Sequence, residues 1–307
     1  MSRLGSDQEP ERNRPRYGIN TYSFTQTLGA RDCLKQLADL GYRRFEIMLI
    51  PGHFWASLDG DAGRREIESL VVKDSLQILT LNQPNLDVNL SSVVPEMRQH
   101  SCGVIASAIE LAASWNAKGV VINPGKCNPV FPPPMKTLTD CFRRSLEVLV
   151  PIARKARVEL IVKNHPLSYL YRASDLRLFF DEFGWDQVGI GYDFANGHFG
   201  GEEPEAVLQL RDHLPFMYAA DTSLDVFSHA QIGTGTVPFA KDRDNASRRE
   251  SVSANDLGNR GRKRAARDRR QRRASRQPSV ADQLRCQDAA SCRGQTMPSR
   301  SAAPVSS

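Results

Sequence analysis

ELIVKNHPLS, residues 159–168, sets an apolar run, Leu160-Ile161-Val162, directly against Lys163, Asn164 and His165, and Pro166 closes it. A short apolar run bounded by turn residues reads as a buried strand. Its polar end admits two readings: the chain simply leaves the core there, or the strand delivers side chains to a site. The arrangement recurs. Strands are expected at YGINTYSF (17–24), RFEIML (44–49), LQILTLNQ (76–83), GVVINPG (119–125), ELIVKN (159–164), VGIGYDFAN (188–196) and FMYAADT (216–222). Each carries polar residues toward its C-terminal end: Tyr22, Glu46, Asn82, Asn123, Lys163 with Asn164, Asp193 and Asp221.

Between the strands lie amphipathic stretches. ARDCLKQLADLG carries a 3.6-residue stripe of Leu34, Leu37 and Ala38 and stops at Gly41, a helix with a glycine cap. IASAIELAASWNA, LTDCFRRSLEVLVPIARKA, SDLRLFFDEFG and EPEAVLQLRDHL read as further helices. The strands are continuously apolar, as in a parallel sheet covered on both faces. Seven such alternations suit a doubly wound sheet or a (β/α)8 barrel. A dinucleotide-binding sheet wants G-x-G-x-x-G after an early strand, and none follows the strands at 17 or 44. In a barrel the polar strand ends converge on one mouth, where barrel enzymes keep their sites. The expectation is therefore an incomplete TIM barrel over residues 17–240, with seven strand-helix units.

An eighth unit is due near residue 240, but the segment from Lys241 is almost devoid of apolar residues and cannot form a buried strand. Residues 241–307 are expected to be a disordered basic tail, and residues 1–16 a disordered N-terminus. The tail holds 17 Lys+Arg against 7 Asp+Glu, leaving 24 against 28 in residues 1–240. The body is mildly acidic and only the tail is basic. The Arg, Ser, Ala and Gln richness of the tail is that of a basic segment or of out-of-frame translation of a GC-rich gene; the other two nucleotide frames after Ala240 distinguish these. The six cysteines form no C-x-x-C pair and suggest neither a zinc ribbon nor a disulfide framework. The polar start and the lack of a membrane-length apolar run make a cytoplasmic enzyme the default.

LADLGYRRFEIML around Glu46, NHP after the fifth strand, YDFANGH after the sixth, ADT after the seventh and SHAQIGTGTVPF beyond it resemble the xylose isomerase-like TIM barrel family. The most specific piece is H-x-x-x-G-x-G, His229 to Gly235. The resemblance implies an isomerase or epimerase acting on a small sugar or polyol derivative, by proton transfer next to a carbonyl. It also implies a divalent metal, Mn²⁺ or Mg²⁺, held by a Glu, an Asp, a His and a second Glu. Asp193 matches the Asp and His229 the His; the first Glu position holds Lys163, and the second has no counterpart. The chain as written is thus expected to bind such an ion weakly or not at all, since oxygen ligands and negative charge set affinity for a hard cation.

Lys163 and Asp193 are the candidate catalytic pair. Adjacent strands lie about 4.8 Å apart, so the lysine can pair with Asp193 in place of the metal's charge, or polarise a substrate oxygen or form an imine. Glu46, His53, Asn123, Asn164, His165 and Asn196 are candidate substrate-binding residues. The bland alternatives are a salt bridge from Glu46 to Arg43 or Arg44, a packed loop histidine at His53, and a capped turn at Asn164 and His165. His53 lies beside Phe54 and Trp55, a grouping suited to a sugar face.

Other functions compete. Endonuclease IV-like DNA repair requires a three-zinc cluster, and Tyr218, Lys163 and the acidic body oppose it. The tail, with ten Lys+Arg and one acid over residues 260–276, can bind nucleic acid non-specifically through phosphate, but no aromatic residue is interleaved for stacking. A catalytically inactive, binding-only barrel is the third alternative.

Overall fold

The structure, a computed structural model, describes residues 17–128 and 130–239. The segments expected to be disordered, 1–16 and 241–307, fall outside that range.

Seven strands form one sheet, each parallel to its neighbour and in sequence order: β1 (Ile19–Asn20), β2 (Arg44–Met48), β3 (Gln77–Asn82), β4 (Gly119–Ile122), β5 (Glu159–Lys163), β6 (Val188–Asp193) and β7 (Phe216–Tyr218). The helices are α1 (Ala30–Asp39), α2 (Ala56–Lys73), α3 (Pro95–Ser114), α4 (Met135–Ala156), α5 (Ala173–Phe183) and α6 (Phe194–Phe199). The sheet curls into a TIM-barrel-like α/β fold, and among the described residues β1 and β7 carry no ladder to each other. No helix among the described residues is long and apolar enough to cross a membrane.

The helix-to-strand returns share one device. After α1, α2, α3 and α4 the chain takes a left-handed residue, at Gly41, Ser75, Asn116 and Arg157. Its N–H and that of the next residue turn back onto the last helical carbonyls: Gly41 N to Ala38 O and Tyr42 N to Leu37 O, then Arg157 N to Arg154 O and Val158 N to Ala153 O. This closure satisfies orphan carbonyls and aims the chain into the next strand, which starts within three residues each time.

Strand residues serve two environments, alternating except at the irregularity in β3 between Ile78 and Thr80. Phe45, Ile47, Ile78, Leu81, Val120, Ile122, Leu160, Val162 and Ile190 join the helices in the main apolar core. The intervening side chains, Glu46, Thr80, Asn82, Lys163 and Asp193, are buried and polar. They occupy the barrel interior and its mouth.

Several expectations change. The stretch 188–196 is not one strand: β6 stops at Asp193, whose carboxylate accepts from Asn196 N and caps α6. EPEAVLQLRDHL forms a 3-10 helix, Pro204–Leu210, in place of the expected α-helix. The first and last strands are shorter than expected, with Tyr22 in a 3-10 turn and Asp221 in an isolated bridge to Ala230. The helix α2 has no counterpart in the sequence reading, since Gly60 and Gly63 and a run of charges leave it only Ile67 and Leu70 as buried anchors.

Candidate active site

Lys163 ends β5, and its register partner on β6 is Gly191, two residues short of Asp193. Both side chains therefore point to the same face. Lys163 Nζ lies 3.8 Å from Asp193 Oδ2, with both side chains nearly buried. That separation is an ion pair too long for a hydrogen bond. On its other side the ammonium sits 4.6 Å from the ring centroid of Tyr218, a favourable cation-π contact. Gly191 makes room for that ring: a Cβ there would lie 3.0 Å from Ile161 Cγ2 and 3.2 Å from Tyr218 Cε2.

His229 Nδ1 approaches the same oxygen, Asp193 Oδ2, at 4.0 Å. Asp221 places it there. One carboxylate oxygen of Asp221 accepts from Thr222 N and Val237 N at 2.9 and 3.1 Å, and the other from Gly233 N at 2.7 Å. The backbone of Asp221 also exchanges two hydrogen bonds with Ala230. This clasp explains both glycines of H-x-x-x-G-x-G. Gly233 has φ +91, and a Cβ on Gly235 would run into Thr222 O and the Asp221 carboxylate. Burial alone would raise the Asp221 pKa, but the surrounding backbone N–H donors outweigh it and hold the carboxyl below its ordinary range.

Asn164 and Asn196 tie their amide nitrogens into the backbone around Asp193, and Asn196 Oδ1 is buried without a hydrogen-bond partner among the described residues. Asn164 donates to Asp193 O at 3.1 Å and accepts from Asp193 N at 2.7 Å, while Asn196 donates to Asn164 O at 2.7 Å. Both are buried. His53 is also committed elsewhere: Nδ1 meets Leu28 O at 2.6 Å and Nε2 meets Thr21 Oγ1 at 2.8 Å. Phe54 packs edge-on against Trp115 within the core. His53 and Phe54 are thus a packed loop tie, while Trp55 is half-buried at the edge of the core.

Among the described residues Glu46 makes no salt bridge to Arg43 or Arg44; four side-chain donors surround its carboxylate. Asn20 and Asn82 donate to Oε1 at 2.5 and 2.8 Å, and Thr80 and Tyr218 donate to Oε2 at 2.5 and 2.8 Å. These donors come from β1, β3 and β7, so this carboxylate joins the two edges of the sheet. Burial and the Glu46 charge push the Tyr218 phenol far above its usual pKa, so it stays a donor.

His165 follows Lys163 by two residues and faces Phe227, which also stacks edge-on with His229. Burial, then the charges of Lys163, His229 and Lys126, lower its pKa to about 4. Its Nδ1 accepts from Leu167 N at 3.2 Å, so the neutral ring carries its proton on Nε2. It offers a donor. Burial likewise lowers His229, against the pull of Asp193 and together with Lys163. Asn123 continues β4 on the face of Val121, and its Oδ1 is buried without a hydrogen-bond partner among the described residues.

The donor set does not suit a divalent ion. Among the described residues no group of three or more His, Cys, Asp or Glu side chains could hold one. Asp193 and His229 supply two donors, and the expected third position supplies an ammonium. Each unit of positive charge within about 4 Å of that ammonium costs about 4 kcal/mol at an effective dielectric of 20.

The model of the family described as xylose isomerase-like TIM barrel matches residues 34–243. The chain belongs to that family. Among solved structures, a D-tagatose 3-epimerase-like protein superposes with TM-score 0.66 at 19% identity, over 75% of this chain and 85% of that one. The 3-keto-D-glucoside 4-epimerase of E. coli gives 0.62 at 18% identity, over 75% and 86%. An IolI protein with a bound zinc atom gives 0.64 at 15% identity, over 76% and 84%. These likenesses establish the fold. Sequence reading singled out Lys163, Asp193 and His229 from this site but gave no role to Tyr218 as the bridge to Glu46, or to Asp221 as the clasp. Their polar positions at strand ends were the available signal.

Proposed function

We propose that this barrel is an isomerase or epimerase of a small sugar or polyol derivative, moving a proton on carbon next to a carbonyl, in the cytoplasm. The observation that carries this is the convergence of Lys163 and His229 on one oxygen of Asp193 at the strand ends. The epimerases among its solved neighbours favour the same substrate class. Such chemistry needs a positioned base and a group that stabilises the enediolate oxygen. His229, beside Asp193, takes the proton; the carboxylate steadies the imidazolium that forms. His165 and Asn123 supply a donor and an acceptor for sugar hydroxyls. The metal of the family pattern has no part in this scheme, because the residues at its position do not form its ligand set.

The test is to incubate the full-length protein with a panel of aldoses, ketoses and their phosphates in D₂O and follow deuterium at the carbon next to the carbonyl by NMR. Wash-in on at least one sugar, cut by about 100-fold or more in His229→Gln, is the expected result. Absence of wash-in on every sugar ends this reading. One feature favours a binding-only barrel instead: Glu46 is saturated with donors and Asp193 is paired, so neither carboxylate is a free base. A sugar that raises Tm without exchanging deuterium would establish it.

A further inference from the structure

We infer that Lys163 takes the metal ion's place in this barrel, its ammonium receiving the charge that develops on the substrate oxygen, so that the site works without a divalent cation. This rests on the proton-transfer reading above and extends it to the electrophile.

Three observations carry it. The ammonium is fixed from two sides, by the Asp193 carboxylate at 3.8 Å and the Tyr218 ring at 4.6 Å. Tyr218 is itself pinned by its hydroxyl to Glu46 at 2.8 Å, so the platform under the lysine is rigid. Second, 3.8 Å leaves the ammonium N–H groups incompletely used by Asp193, and an ammonium carries three. A substrate oxygen entering beside the carboxylate finds donors ready. Third, the charges balance: Lys163 neutralises the carboxylate that would otherwise call for a cation.

The step is balanced within the protein and the sugar. The carbon-hydrogen bond breaks as its proton passes to His229, its electron pair forms the enediolate double bond, and the carbonyl pair moves onto the oxygen held by the Lys163 N–H. For isomerisation, His229 returns the proton to the neighbouring carbon as that carbon's hydroxyl proton passes to the oxygen held by Lys163 and the carbonyl re-forms there; for epimerisation, water delivers a proton to the opposite face and His229 releases its own to water, so every group is restored. No oxidant or co-reactant is needed.

The experiment combines deuterium wash-in with thermal melts of the full chain, each with and without EDTA and about 1 mM Mn²⁺. Wild-type wash-in is expected to survive EDTA within about twofold, to fall about 100-fold or more in Lys163→Met, and to be partly kept in Lys163→Arg. Wild-type Tm is expected to ignore Mn²⁺, whereas Lys163→Glu, which supplies a third ligand, gains roughly 3 °C or more; Lys163→Gln serves if Lys163→Glu does not fold. Wash-in lost to EDTA and restored by Mn²⁺ overturns the inference. So does a wild-type Tm that rises with Mn²⁺, or a lysine variant that stays as silent as the wild type. If no protein exchanges deuterium, the isomerase or epimerase reading fails, and the melts alone still decide whether Lys163 holds the cation's position.

Discussion

Glu159, at the other end of the strand that delivers Lys163, shows what burial does to a carboxylate with no hydrogen bond or ion pair among the described residues. Burial pushes its pKa to about 7 from 4.5. The folded state holds that proton more tightly than the unfolded one, so stability falls as pH rises from about 4.5 to about 7 and stays reduced above it. Glu159→Gln should therefore raise stability by about 1–3 kcal/mol at pH 8 and hardly at all at pH 4; urea melts at both values check this. Glu46 shows the opposite case, a buried carboxylate with four donors. Single residues were legible in the sequence to the extent that strand parity determines facing. Lys163, Asp193 and Glu46 all point inward because they sit on the same alternation as their neighbours. What each one touches was not legible, since the donors to Glu46 come from positions as distant as Asn20 and Tyr218.

At the scale of elements, the repeated helix closure uses residues that tolerate the left-handed region unequally. Gly41 pays nothing for it, whereas Arg157 has φ 59 with a full side chain. Arg157→Gly is expected to stabilise the chain by about 1 kcal/mol, read as a shift in urea midpoint at unchanged m. The loop carrying His229 is held by a carboxylate, and its sign is the reverse of Glu159. A depressed pKa means that the contribution of Asp221 is complete above the unfolded value, about 3.9, and is lost as pH falls through the lower folded one. Asp221→Asn should cost about 2–3 kcal/mol at pH 7 and little in acid, which melts across pH 2–7 measure. Elements with a strong apolar stripe, such as α1 and α4, were visible in the sequence. The glycine-bearing α2 and the six-residue α6 were not, because the first is anchored by few buried residues and the second depends on a cap from Asp193.

At the scale of the molecule, the decisive feature among the described residues is that seven strands curl without a ladder between β1 and β7. Side chains span the seam instead: Tyr218 and Asn20 both donate to Glu46, and Tyr22 meets His229 with ring centroids 5.2 Å apart. Barrel architecture was legible from the alternation of elements and the polar strand ends. The bridge was not, because it joins side chains 172 residues apart. Removing the phenol hydroxyl in Tyr218→Phe should loosen both edges together. Hydrogen-exchange mass spectrometry is expected to show faster exchange at Ile19–Asn20 as well as at Phe216–Tyr218, with β4 and β5 unchanged; a change confined to β7 would contradict it.

The seam also sets how the molecule yields under load. Tension applied across β1 and β7 does not shear a long ladder whose bonds must break together. It meets strands of two and three residues, which can give way bond by bond, and behind them a phenol, an amide and one carboxylate. The barrel should open from that side at low force, like a cuff released at its button, while the middle strands keep their registry.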